Sequence, residues 1–190
     1  MRAVILASIL LLGAASPALA QAPTPPDAAT QYRDMKTRAE AGDAEAQWNL
    51  GMMLLNGEGT TRNEREAWRW VRASGDAGYE NGMISTAVML ALGQGTTRDE
   101  AQARDWYRRA AERHRSAHAL RGYAGMLIMG QGGPQEAERG LAYLELAGEG
   151  GDENALRILD AIAPQVAGRI DRPRVDALKA EWVAARGRPD

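Results

Sequence analysis

Residues 57–64 read Gly-Glu-Gly-Thr-Thr-Arg-Asn-Glu, and residues 93–100 read Gly-Gln-Gly-Thr-Thr-Arg-Asp-Glu, an offset of 36. The same offset carries Gly42 to Gly78, Leu54 to Leu90, Ala67 to Ala103 and Trp70 to Trp106. A third copy follows at an offset of 37, with Gly130-x-Gly132, Leu127 and Tyr143 in the places of Gly93-x-Gly95, Leu90 and Trp106. A fourth opens at Gly151-Asp152-Glu153-Asn154-Ala155, the counterpart of Gly42-Asp43-Ala44-Glu45-Ala46, and lacks a Gly-x-Gly turn. A unit this short cannot bury a core alone. Like units must stack and share one, which excludes most closed folds.

Each copy reads as helix, turn, helix. Asp43 caps a helix whose apolar face carries Ala46, Leu50 and Leu54 at intervals of four. Gly57 and Gly59 stop it, because glycine takes a left-handed backbone without a Cβ penalty. The same conformation is expected at Gly42 and Gly78. The second helix opens at Asn63-x-x-Glu66 or Asp99-x-x-Gln102, each a capping-box pattern, with Thr61 and Thr97 as competing caps. Pro134 is expected in the first turn of the third copy's second helix. Small residues at Gly51, Ala87 and Ala124 admit close helix approach, and Trp70, Trp106 and Tyr143 fill the space between hairpins.

These readings predict an all-α, right-handed α-solenoid of helix-turn-helix repeats. Repeats span about 42–77, 78–113, 114–150 and a partial 151–163. A capping helix precedes them at 28–41. Val175, Leu178, Trp182 and Ala185 mark a closing helix within the C-terminal segment 164–190.

The N-terminus reads as an address. Arg2 precedes an almost unbroken apolar run from Ala3 to Ala15, and Ala18-Leu19-Ala20 gives the small-x-small pattern of a signal-peptidase site. Residues 1–20 are therefore expected to be a signal peptide, with a Pro-rich leader at 21–27. The expectation is a periplasmic or secreted protein with no integral membrane anchor after cleavage.

Composition removes several function classes. The chain has no cysteine, so disulfide frameworks, thiolate metal sites and cysteine nucleophiles are excluded. Its 23 basic and 25 acidic residues give a net charge of -2, which offers no case for nucleic acid. His114 and His118 stand four apart on an expected helix, but Arg115 occupies the place of the zinc-protease glutamate. Ser74, Ser85 and Ser116 lack the glycines of a nucleophile elbow, and the Gly-x-Gly turns lack the Lys-Ser/Thr of a phosphate loop. No catalytic, cofactor or metal residue is assigned. The cluster Arg108, Arg109, Arg113 and Arg115 fits either an acidic partner or a solvated helix end.

The candidate binding surface is a row on the first helices. Taking these helices to line a concave groove, the face beside Leu50 and Leu54 carries Trp48, Met52 and Met53. The next copies place Ile84, Val88 and Met89, then Arg121, Gly125 and Met126, with Asn56, Leu92 and Met129 continuing the row. From it Trp48, Met52, Met53, Val88, Met89, Arg121 and Met126 are the expected partner contacts, since flexible methionine suits varied peptides. The alternative is that half of these side chains belong to the core between repeats.

The order Ala39-Glu40-Ala41-Gly42-Asp43-Ala44-x-Ala46-Gln47-x-x-Leu50-Gly51, Gly57-x-Gly59, Glu66-Ala67-x-x-Trp70 resembles the Sel1-like repeat, a relative of the tetratricopeptide repeat. The resemblance covers about residues 39–163. It departs from the pattern at Tyr79, at Glu80 and at His114, which stands at the place of Gly42 and Gly78. It implies an adaptor or regulator that binds a protein or peptide in the cell envelope, without enzymatic activity or cofactor. A cysteine-rich branch is linked to β-lactam hydrolysis, so a cell-envelope hydrolase is the alternative, but its cysteine framework is missing here. Intact mass of protein recovered from the envelope is expected to give a chain starting at Gln21. A mass that retains residues 1–20 would overturn the export reading.

Overall fold

The computed structural model describes residues 27–166 and 168–185. The expected signal peptide, the leader up to residue 26 and the tail from residue 186 lie outside them. Every helix and turn so described belongs to an all-α chain, in the order α1 (Ala28–Glu40), α2 (Ala44–Asn56), α3 (Glu64–Asp76), α4 (Glu80–Leu92), α5 (Glu100–His114), α6 (Ala117–Met129), α7 (Ala137–Glu149), α8 (Glu153–Val166) and α9 (Arg172–Ala184). Successive helices from α1 to α8 pack on one another, and α2 also meets α4 and α4 meets α6. First helices thus lie beside first helices, as a solenoid requires.

Local chemistry explains the helix ends. Asp27, Asp43, Asn63, Asp99, Ser116 and Asp171 each accept the backbone N–H three residues ahead. Asn63 and Asp99 are therefore the caps, and not Thr61 or Thr97. The capping box takes an altered form. Gln102 Nε2 donates to Asp99 Oδ2 at 2.7 Å, side chain to side chain. The backbone N–H groups of Asn63 and Asp99 donate instead to the carbonyls of Leu54 and Leu90, each at 2.9 Å. Each second helix is thus pinned at its cap to the end of the first. Gly57, Gly93 and Gly130 close the first helices in the left-handed region, with φ of 71°, 71° and 65°.

The second glycine of each turn is not a helix stop. A Cβ built on Gly59 would lie 2.0 Å from the carbonyl oxygen of Ala28, and one on Gly95 2.0 Å from that of Glu64. On Gly132 it would lie 2.1 Å from that of Glu100. Each of these oxygens belongs to the first residue of the second helix in the preceding hairpin. The turn therefore docks backbone against backbone on its neighbour, which only glycine permits. Gly59 docks on α1, which is accordingly the second helix of a truncated hairpin. The caps Asp27, Asn63 and Asp99 fall 36 apart in confirmation.

Small residues recur where each second helix crosses the next first helix. The register pairs Ala39 and Ala46, Gly75 and Gly82, Ala111 and Ala119, and Gly148 and Ala155 are all buried. Between the glycines, a Cβ on Gly82 would come within 2.4 Å of Ser74 Oγ. The large residues then fill the core: Trp106 is buried, and Tyr143 stacks on Tyr123 with ring centroids 5.6 Å apart.

One turn expectation and one alignment are corrected. Pro134 precedes α7 by three residues, outside its first turn, and its carbonyl accepts from Arg104 at 2.8 Å. At the end of α5, Arg115 and not His114 takes the left-handed turn, with φ of 51°. The helix runs on to His114, which accounts for the extra residue of the 37-residue copy.

The fourth hairpin does not close. Asp160 stands on α8 at the place of Gly51, Ala87 and Ala124, where a carboxylate cannot be buried against a close helix. α9 packs on α7 instead, burying Val175 and Leu178 against Leu141 and Ala142. Ion pairs from Arg172 and Lys179 to Glu145 and a Trp182–Tyr143 contact at 4.9 Å hold it there.

The glycines yield a paired test. A Cβ on Gly42 meets nothing within 4 Å, so Gly42→Ala costs only the left-handed backbone, about 1 kcal/mol. Gly95→Ala drives a methyl into a carbonyl and is expected to cost about 3 kcal/mol or more. Urea melts of both variants measure this, and equal losses would refute the docking role.

Candidate partner interface

Helical geometry turns each successive residue by about 100°, so neighbours in sequence face different surroundings. On α4, Val88 and Leu92 are 37% and 69% exposed, while Met89 between them is 2% exposed. On α6, Met129 is 70% exposed and Met126 is 4%. Met53 is buried as well, and Met52 is half-buried. The expected contacts Met53, Met89 and Met126 are thus corrected: all three are buried, Met89 packing with Leu50 and Leu54 of the preceding hairpin and Met126 showing only an edge. What remains open is the adjoining stripe, Met52, Val88 and Gly125, and the row Asn56, Leu92 and Met129.

Trp48 is half-buried and ties two first helices together. Its Nε1–H donates to Ser85 Oγ on α4 at 2.9 Å, and its ring meets that of Tyr79 at 6.0 Å. Arg121 is likewise a strut. Its Nε donates to Asp152 Oδ2 at 2.7 Å, joining α6 to the cap of α8. The basic cluster is dispersed. Arg108 bonds Asp105 and Glu112, Arg115 donates to the Trp182 carbonyl, and Arg109 lies 4.4 Å over the Trp106 ring. His114 Nε2 sits 3.0 Å from the Gly78 carbonyl, and His118 is exposed.

Between α4 and α6 the face opens into a trough of about 410 Å³. Val88, Ala91 and Leu92 form one wall, Gly122, Gly125 and Met126 the other, and Tyr107 of α5 lines it from below. Burial pushes the Tyr107 phenol above its ordinary value, against a smaller opposing effect of Arg121. Sequence reasoning missed Tyr107, Ala91 and Gly122. The available signal was a pair of glycines three apart inside one helix, positions that favour alanine unless a close approach demands otherwise.

The Sel1 repeat family matches at residues 44–79, 81–114 and 117–152, one match for each closed hairpin. The chain belongs to the Sel1 repeat family. Sel1 repeats generally mediate protein–protein interaction, and proteins built from them are typically non-enzymatic scaffolds. Among solved structures, a Sel1 repeat protein from Oxalobacter formigenes is similar at 30% identity and a TM-score of 0.61, covering 69% of this chain and 98% of that one. A protective antigen present in uropathogenic Escherichia coli strains, displaying an SLR fold, is similar at 27% identity and a TM-score of 0.68. That match covers 82% of this chain and 34% of the antigen. Helicobacter pylori cysteine rich protein B shares the fold at 17% identity and a TM-score of 0.52, over 67% of this chain and 96% of that one. Comparison with curated proteins gives no match.

The last Sel1 repeat carries an acid-sensitive joint. Burial alone would raise the Asp152 carboxyl, but the Arg121 bond and the N–H groups of Ala155 and Asn154 outweigh it and hold it below its ordinary value. A carboxyl depressed in the folded state stabilises it above the unfolded value and loses that contribution as pH falls through the folded one. Wild type is therefore expected to lose stability steeply below about pH 4, and Asp152→Asn less steeply. Acid melts of the two check this, and parallel curves would remove Asp152 from the account.

Proposed function

We propose that this Sel1 repeat protein is an exported, non-enzymatic adaptor that binds a protein or peptide of the cell envelope through the face of its first helices. The observation that carries the reading is the exposure of Leu92 and Met129, at 69% and 70%, beside core neighbours almost fully buried. Large apolar side chains left open in one row mark an interaction surface. Met52 and Val88 extend it as contacts, while Trp48 and Arg121 hold the helices that present it. Among the described residues no helix is long and apolar enough to cross a membrane. Export rests on the apolar run Ala3–Ala15 and on Ala18-x-Ala20.

Covering an exposed leucine or methionine contributes about 1.5–3 kcal/mol. The double variant Leu92→Asp/Met129→Asp is therefore expected to weaken partner capture from an envelope extract on the order of 100-fold, with little change in melting temperature. Met89→Glu is expected to unfold the protein, because it places a carboxylate in the core. Unchanged capture by the folded double variant would overturn the proposed face.

A further inference from the structure

Gly125 is a residue that the fold does not require. Its neighbour Gly122 is forced, since a Cβ there would lie 2.2 Å from Cε1 of Tyr107. A Cβ on Gly125 would meet no atom within 4 Å, and its φ lies outside the left-handed region. Glycine inside a helix is less stable than alanine, so nothing local explains it. Its counterparts are Met52 and Val88, both with large side chains. Gly122 seats the Tyr107 ring, and Gly125 leaves the α6 backbone bare along one wall of the trough. Between the first and second hairpins Trp48 instead spans the gap to Ser85.

The trough is apolar and electrically balanced. Arg98 at its edge is paired with Glu100, and Arg121 behind it with Asp152. The Tyr107 hydroxyl has no hydrogen-bond partner among the described residues and is free to donate. A cavity of about 150 Å³ holds a benzene-sized group. The 410 Å³ here therefore accommodates a leucine-sized side chain with part of its backbone.

We propose that this trough is an anchor site for one uncharged aliphatic side chain of a bound polypeptide, whose backbone crosses Gly125 and offers a carbonyl oxygen to Tyr107. The proposal rests on the reading of the first-helix face as a polypeptide-binding surface. It narrows that face to one specificity-determining pocket between the second and third hairpins. A charged anchor is refused, because it would lose water without gaining a partner.

The test titrates N-acetyl-leucine methylamide into the full chain while following the ¹³C-labelled methyls of Met126 and Met129. Wild type is expected to show a saturable shift with this probe and none with N-acetyl-aspartate methylamide. Tyr107→Phe should weaken binding several-fold. Gly125→Leu, which fills the trough, should abolish the shift. Gly125→Ala should raise the melting temperature by a few degrees and still weaken binding, a combination that a purely structural glycine would not give. The proposal is overturned by any of three results: no saturable shift, an equal shift in Gly125→Leu, or a lower melting temperature in Gly125→Ala. If the probe fails while Leu92→Asp/Met129→Asp still abolishes capture, the anchor site falls and the wider face stands. If both fail, the binding face falls with it.

Discussion

Where the turn of one hairpin meets the helix start of the one before, the contact is backbone on backbone. Gly59, Gly95 and Gly132 each press against the first carbonyl of α1, α3 and α5. Side chains can be exchanged for others of similar volume, but a contact between two main chains has a single spacing. It sets the step from hairpin to hairpin, and the small residues at each helix crossing follow from it. Once the step is small, nothing larger than alanine fits where second helices pass the next first helices. The aromatic residues then fill what the small ones leave.

Repeats bound this way depend on their nearest neighbours, and the polar contacts between copies follow the same pattern. Trp48 reaches Ser85, His114 reaches Gly78, Ser116 reaches Glu80, Arg104 reaches Glu136, and Arg121 reaches Asp152. Each contact crosses one boundary between copies. The ends are finished differently. α1 turns Arg33, Lys36, Thr37 and Glu40 to water, and α9 lies over α7 because Asp160 prevents a fourth close hairpin. A row of first helices held in fixed register by such joints is a rigid platform. That rigidity lowers the cost of ordering on which affinity depends.

The Sel1 repeats themselves were legible in the sequence because their signals are local and recur. A cap such as Asp43 or Asn63 and a left-handed glycine such as Gly78 depend on residues a few positions apart, and the offset of 36 returns the same signals copy after copy. Family membership follows from the same residues. The all-α solenoid needed only the further fact that such units cannot stand alone.

The binding face was less legible, and the reason is angular. Val88 and Met89, or Gly125 and Met126, are both apolar-compatible neighbours on an apolar helix, and periodicity alone does not say which faces a partner helix. The orientation is settled by where Gly51 admits Val71 and where Trp48 finds Ser85, contacts 20 and 37 residues apart in the chain. The same holds for Arg121, whose partner Asp152 opens another repeat, and for the trough, which exists only because α4, α5 and α6 converge around two glycines. By itself the sequence determined the unit, its caps and its stacking. Tertiary structure alone decided which side of each helix meets water, because that choice is made by neighbours the local pattern does not contain.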